Sequence, residues 1–110
     1  MFDMTRVGGG LIFVIGMVGR DPKGAVIPGI VPQTARCLER IEEQLQGHGR
    51  DRAAIVRLRF YVTDMRLWPA ARAEIASFFG DRIPPSTAVG VTGLAEPEML
   101  IEIDAEATVA

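Results

Sequence analysis

The chain has 110 residues, 48% of them hydrophobic and 24% charged, with a formal net charge of -2. These values predict one domain, residues 1–110, with enough apolar residues for a core. The longest apolar run is too short for a membrane helix and no signal-peptide pattern precedes it, so we expect a cytoplasmic protein without a membrane partner. A single Cys37 and a single His48 exclude an intrachain disulfide and a zinc site of usual spacing.

The first half of the chain predicts a hairpin, a loop and a helix. The glycine-bounded run Leu11 to Val18 indicates a buried strand, and the segment before it, turning at Gly8 to Gly10, its hairpin partner. Turn-forming residues follow, with room for one short strand near Ala25 to Ile27. Pro32 then opens a helix that ends at the Gly-His-Gly sequence around His48. Its predicted apolar stripe consists of Val31, Ala35, Leu38, Ile41 and Leu45.

The second half predicts a strand, a helix and two strands. The segment Ile55 to Asp64 alternates between apolar and more polar residues, which predicts a strand. One set of side chains is expected toward the core (Val56, Leu58, Phe60, Val62) and the other away from it (Arg57, Arg59, Tyr61, Thr63). Pro69 opens the second helix, with Gly80 as C-cap and an apolar side formed by Ala71, Ile75, Phe78 and Phe79. The last strands are expected near Thr87 to Thr92 and Met99 to Val109.

The order of elements predicts an α+β fold, a mixed sheet with both helices on one face. On the last strand Glu102, Asp104 and Glu106 alternate with apolar residues, so they need water, counter-charges or a ligand. We expect them to share the uncovered face with Arg57, Arg59 and Tyr61, where cross-strand ion pairs are the simplest explanation. The small residues Ala88, Gly90 and Thr92 nearby make that face a candidate subunit contact.

Three single residues have structural explanations. Cys37 borders the helix stripe, as a small buried residue would. His48 lies between glycines and is most simply a solvated loop residue. Trp68, before Pro69, is expected to pack at the helix entry. The near-neutral charge and sparse aromatics disfavour nucleic acid as a partner.

Four stretches resemble a known family in order and spacing: GLIFVIGMVGRDPKG, VPQTARCLERIEEQL, IVRLRFYVTD and PPSTAVGVTGL followed by EMLIEIDA. They are similar to the Rid family of reactive intermediate deaminases, also called YjgF or L-PSP endoribonuclease-like proteins. The resemblance implies a chorismate-mutase-like fold assembled as a homotrimer, with a small-molecule pocket at each subunit interface. We expect no cofactor and no metal.

The resemblance also implies site residues. In the deaminase branch an arginine after the proline of the fifth strand holds the substrate carboxylate, and a glutamate on the last strand helps to position water. These enzymes hydrolyse 2-imino or enamine acids to 2-oxo acids and ammonia. The corresponding positions here are Ser86 and Glu102, and the family's Ser-Gly-Gln is Ile15-Gly16-Met17. The implied site is therefore Glu102 as catalytic residue, with Gly16, Met17, Ser86 and Ala88 lining the pocket.

Ser86 departs from the family pattern, which has an arginine at this position. One hydroxyl cannot replace the two parallel hydrogen bonds and the charge that a guanidinium offers to a carboxylate. Arg20, Arg57 and Arg59 are candidate substitute cations. An imine or enamine hydrolase with altered substrate choice and a non-catalytic trimeric metabolite-binding or interaction protein both fit these residues. Glu102 itself is open to a structural interpretation as a cross-strand ion-pair partner. Ribonuclease activity, suggested by the older family name, is disfavoured by the single histidine and the acidic balance.

Overall fold

The computed structural model describes residues 2–110, and its helices and strands follow the predicted order. The elements are β1 (Thr5–Gly8), β2 (Leu11–Val18), α1 (Ile30–Gln46), β3 (Ile55–Val62), α2 (Trp68–Phe79), β4 (Ser86–Gly90) and β5 (Ile101–Thr108). Short 3-10 turns at Arg52–Ala54 and Met65–Leu67 lead into β3 and α2. A radius of gyration of 13.2 Å is typical of one compact domain of this length. Within residues 2–110, no helix combines the length and apolar character required to cross a bilayer.

The five strands form one mixed sheet in the order β1-β2-β5-β3-β4. Only β3 and β4 are parallel; the other neighbours are antiparallel. The last strand lies beside β3 and occupies the centre of the sheet between β2 and β3. The edge strands β1 and β4 are also the shortest.

The core lies between one face of the sheet and both helices. It contains Ile12, Val14 and Met17 of β2, Leu58, Phe60 and Val62 of β3, Ile101 and Ile103 of β5, and Leu38, Ile41 and Leu45 of α1. Trp68 packs on Phe60 with ring centroids 5.3 Å apart, which confirms its predicted packing role. Cys37 is fully buried, and burial raises the pKa of its thiol to about 12. The prediction of a small buried residue is therefore confirmed, and the thiol is not a nucleophile at neutral pH.

Two predicted core residues lie at the surface instead. Val56 is 42% exposed, whereas its neighbour Ile55 is only 6% exposed. The register between β3 and β5 shifts between Ile55 and Arg57, so the regular alternation starts at Arg57 and the prediction for Val56 was wrong. Val31 is 41% exposed, so the prediction for it was also wrong: in the first turn of α1 the buried side chains are Gln33 and Thr34.

The small residues of β4 face the helices, contrary to prediction. Ala88 pairs with Phe60 and Gly90 with Val62, and paired residues of neighbouring strands project to the same side. A Cβ on Gly90 would lie 3.1 Å from Cγ of Met65, in the layer of the helices. Strand β4 ends at Gly90, before Thr92. The expected strand near residues 25–27 is only an isolated bridge between Arg20 and Val26.

Candidate functional site

The face of the sheet opposite the helices, here called the open face, carries the charged side chains. Strand pairing places on it Phe13 and Ile15 of β2, Arg57, Arg59 and Tyr61 of β3, Thr87 and Val89 of β4, and Glu102, Asp104 and Glu106 of β5. Arg57 and Glu106 are cross-strand partners, with Nη1 and Oε1 4.0 Å apart. The predicted grouping of the two charged rows on one face is confirmed.

Asp104 is fully engaged in holding the sheet together. Strand β2 has an irregularity between Val14 and Met17, where Gly16 takes a φ of 76°, a conformation that favours glycine. The Gly16 N–H donates to Oδ1 of Asp104 at 2.9 Å, and the Tyr61 hydroxyl donates to Oδ2 at 3.0 Å. Burial, followed by the Asp104 interaction, raises the pKa of Tyr61, so the hydroxyl remains a donor. Asp104 therefore acts as a bridge between β2 and β3.

Glu102 differs from its neighbours because its carboxylate has no hydrogen bond or salt bridge to residues 2–110. It is half-buried on the open face, between Val18 of β2 and Tyr61 of β3. Burial, and to a smaller extent the charge of Asp104, raises its pKa above the ordinary value of 4.5. A partly desolvated carboxyl without a structural partner is suited to proton transfer. The ion-pair interpretation of the charged row therefore applies to Glu106 but not to Glu102.

Gln33 fixes the segment that leads into β5. Its side chain is 1% exposed; Nε2 donates to the Glu98 carbonyl at 2.9 Å, and Oε1 accepts the Leu100 N–H at 2.8 Å. Gly19 permits this close packing, since a Cβ there would lie 2.6 Å from the Gln33 Cα. Gln33 lies in one of the four stretches that resemble the family, yet the sequence analysis assigned it no role. In the structure Gln33 anchors the backbone two residues before Glu102.

Gly16 and Met17 lie close to Glu102 along the sheet, but they differ in what they can offer a ligand. The Met17 side chain is fully buried in the core, and its carbonyl accepts a contact from Sγ of Cys37 at 3.4 Å. Its side chain therefore cannot touch a ligand on the open face. Gly16 is half-buried, and its N–H is committed to Asp104.

Ser86 and Ala88 are not brought together with Glu102 in one chain. Ser86 pairs with Leu58, whereas Glu102 pairs with Tyr61, on the opposite edge of β3. Two strand spacings and three residues of rise separate the backbones by about 14 Å. Ser86 and Ala88 also share the side of Leu58 and Phe60, which is the helix side, whereas Glu102 is on the open face. A pocket containing all of them requires a second copy of the chain.

The three candidate substitute cations have different surroundings. Arg20 forms an ion pair with Glu96, and its Nη1 donates to the Gly24 carbonyl at 2.8 Å. Arg57 is opposite Glu106. Arg59 lies on the open face opposite Asp104 and has no salt bridge within the part of the chain that the structure describes. Arg57 and Arg59 project from the open face, whereas Ser86 is on the helix side, and Arg20 lies beyond the end of β2.

A groove lies at the end of the sheet where β3 and β4 begin. It has a volume of about 760 Å³ and runs between Ile55, Phe79 and the loop 81–85 that precedes Ser86. Glu102 lies at the other end of the sheet. Beside the open-face residues Arg57, Arg59 and Asp104 there is a hollow of only about 10 Å³. Glu102 contributes neither to this groove nor to this hollow.

The chain matches known proteins over nearly its full length. Residues 4–109 match the family model described as Endoribonuclease L-PSP. A RutC family protein of Pyrococcus horikoshii is 33% identical over 99 residues, which cover 88% of this chain and 78% of that protein. A Mycobacterium tuberculosis member of the YjgF/YER057c/UK114 family is 35% identical in sequence, with a TM-score of 0.85 over 97% of this chain and 86% of the other.

The fold similarity extends to more distant relatives. The YjgF gene product of Escherichia coli superimposes with a TM-score of 0.91 over 98% of this chain and 87% of that chain, at 23% identity. At 23% sequence identity, this structural similarity establishes the fold and nothing about function. The match of the family model to residues 4–109 shows more: the chain belongs to the L-PSP family of YjgF and Rid proteins.

Proposed function

We propose that the protein is a homotrimeric Rid-type hydrolase that converts a reactive imine or enamine to a carbonyl compound and ammonia, in a pocket shared between two subunits. Glu102 and the Gly16 backbone come from one subunit, and Ser86 and Ala88 come from its neighbour. The observation that carries the proposal is the half-buried Glu102 carboxyl, which has no partner within residues 2–110 and lies on a sheet face that these residues leave uncovered. The separation of Ser86 from Glu102 in one chain supports the division between subunits.

The open face supports an assembly of this kind. It mixes charged side chains with exposed apolar ones: Ile15 is 47% exposed and Val89 is 42% exposed. Apolar side chains next to complementary charges favour a contact between identical copies, because each copy offers both kinds of group. A closed ring of three would cover this face and enclose the space beside Glu102.

The proposed reaction needs a group that moves protons in a partly dry site. Water adds to the carbon of the protonated imine and forms a C–O bond; the C–N bond then breaks while the hydroxyl oxygen forms the C=O bond and releases its proton to solvent, and the nitrogen leaves as ammonia. Glu102 accepts a proton from water and returns it to the departing nitrogen. Its raised pKa suits both steps, because a carboxyl with a pKa nearer to neutrality is the stronger base and still donates readily.

The test uses an imino acid generated in situ by an amino-acid oxidase and trapped by semicarbazide, so that hydrolysis appears as less trapped product. We expect wild-type protein to lower the trapped fraction and Glu102→Gln to lose about 10²-fold or more in rate. Glu106→Gln is the matched control, because Glu106 is on the same strand and face but pairs with Arg57. Equal activity of wild type and Glu102→Gln would refute the role of Glu102.

One observation favours a second function. Ser86 stands where the family's deaminases have their carboxylate-binding arginine, and a hydroxyl provides neither the charge nor the paired donors. A trimeric metabolite-binding or interaction protein with the same pocket would not need them. Saturable binding of a small metabolite, without any effect on imine hydrolysis by the wild type, would make this the better description.

A further inference from the structure

The groove at the start of β3 and β4, here called the proline groove, is formed by the 3-10 turn before β3, the end of α2 and the loop 81–85. Its volume of about 760 Å³ lies within the range of small-molecule sites, roughly 300–1,000 Å³. Ile55, Phe79, Ile83 and the two prolines, Pro84 and Pro85, provide an apolar wall. Ser86 follows Pro85 directly, so the groove borders the position of the family's carboxylate-binding arginine.

Two arginines line the proline groove, and only one of them has a free charge. Arg52 is held by Glu42, through Nε at 2.9 Å and Nη2 at 2.6 Å, and its Nη1 donates to the Phe78 carbonyl at 2.6 Å. Its guanidinium also stacks 3.7 Å above the Phe78 ring. Arg82, in contrast, is exposed and has no hydrogen bond or salt bridge to the described residues. Arg52 therefore has a structural role in lining the groove, whereas the charge of Arg82 is available to a ligand.

Asp81 is the second charged group free to meet a ligand. It lines the groove next to Arg82 and has no ion pair with it or with any other residue in the range 2–110. A ligand with only a carboxylate would be attracted by Arg82 and repelled by Asp81. A ligand that carries a cationic nitrogen beside its carboxylate would meet an opposite charge at both.

We propose that the proline groove binds the substrate as a zwitterion with an apolar side chain, with Arg82 holding the carboxylate in place of the arginine that is absent at Ser86. Asp81 faces the protonated nitrogen, and the apolar wall takes the side chain. The proposal rests on the proposed function in taking an imino acid as the substrate. It also explains product release: hydrolysis replaces the cationic nitrogen by a neutral carbonyl oxygen, so the 2-oxo acid loses the attraction of Asp81.

The other candidate arginines are less suited to hold a carboxylate in the proline groove. Arg20 is paired with Glu96, and Arg57 with Glu106. Arg59 projects from the open face, whereas the groove lies at the end of the sheet, against α2. Arg82 is unpaired, flanks an apolar wall and is four residues before Ser86 on the same loop.

The binding test uses two stable probes with the same carbon skeleton: L-leucine, which has the ammonium group, and 4-methyl-2-oxopentanoate, which lacks it. Affinities come from amide chemical-shift changes at Phe79 and Ile83. Arg82→Gln should weaken both probes about tenfold, the size of one charge-assisted contact. Asp81→Asn should weaken leucine and strengthen the oxo acid. Lys23→Gln removes one exposed positive charge from a distant loop and should leave both within about twofold.

Three results would overturn the proposal: shifts outside the groove only, affinities unaffected by Arg82→Gln, or no binding of either probe at tens of millimolar. The imine assay separates this proposal from the proposed function. If imino acid is hydrolysed and Arg82→Gln leaves KM unchanged, the groove assignment fails and the hydrolase stands. If leucine binding depends on Arg82 but no hydrolysis occurs, the hydrolase fails and the groove stands. Recovery of KM in the double variant Arg82→Gln, Ser86→Arg would support a shared carboxylate site.

Discussion

Replacing Gln33 should destabilise the protein, because its buried side chain holds the backbone that leads into β5. Gln33→Leu keeps the approximate volume but removes the bonds to the Glu98 carbonyl at 2.9 Å and the Leu100 N–H at 2.8 Å. Each bond contributes about 0.5–1.5 kcal/mol, and leaving the backbone groups unpaired in a partly buried place costs a further 1 kcal/mol or so. We expect a loss of about 3 kcal/mol and, at about 4 °C per kcal/mol, a melting temperature lower by about 12 °C.

Urea and thermal unfolding followed by circular dichroism measure this loss, at one fixed protein concentration because assembly contributes to stability. Gln46→Leu is the matched control, since Gln46 is exposed at the end of the same helix. It should change the free energy of unfolding by less than about 0.5 kcal/mol. Equal effects of the two substitutions would refute the argument that Gln33 anchors the entry to β5.

Three further predictions concern the open face. Glu102→Gln should raise the melting temperature at pH 7 but not near pH 4. The pKa of Glu102 is raised in the folded state, so the stability of the wild type falls as the pH rises through and above the ordinary value of 4.5. A difference in melting temperature that does not depend on pH would contradict this. Tyr61→Phe and Asp104→Ala should show a coupling of about 1 kcal/mol in a double-mutant cycle by urea unfolding, because each removes the hydrogen bond between the two side chains, whereas strict additivity would argue against it. Light scattering should give three times the chain mass of 11.9 kDa, and a monomer at micromolar concentration would contradict the shared pocket.

Local sequence patterns were sufficient for the two α-helices, the five strands and much of the open face. The alternation in β5 has a period of two, so any strand at that position separates Glu102, Asp104 and Glu106 from Ile101 and Ile103. The same rule for β3 correctly grouped Arg57, Arg59 and Tyr61. It failed at Val56, because an irregular register depends on the partner strand rather than on the alternation itself.

The candidate site required contacts between distant parts of the chain. The sequence around Glu102 and Asp104 does not indicate which carboxylate is hydrogen-bonded. In the structure the Gly16 N–H and the Tyr61 hydroxyl both donate to Asp104, and Glu102 is left without a partner among residues 2–110. Gln33 meets Leu100 across 67 positions, and Arg20 meets Glu96 across 76, so neither pair could be predicted from spacing. The side to which Ala88 points depends on the parallel register with β3, which also lies outside the strand's own sequence.

A pocket shared between subunits can be tested directly by mixing two variants that are inactive for different reasons. Glu102→Gln removes the proposed proton-transfer group, and Ser86→Trp blocks the exposed start of β4 in the neighbouring subunit. When the two are co-expressed in equal amounts, about a quarter of the interfaces combine an intact Glu102 with an intact Ser86, so the imine assay should recover about a quarter of wild-type activity. A mixture as inactive as each variant alone, beside an active wild type, would contradict the shared pocket.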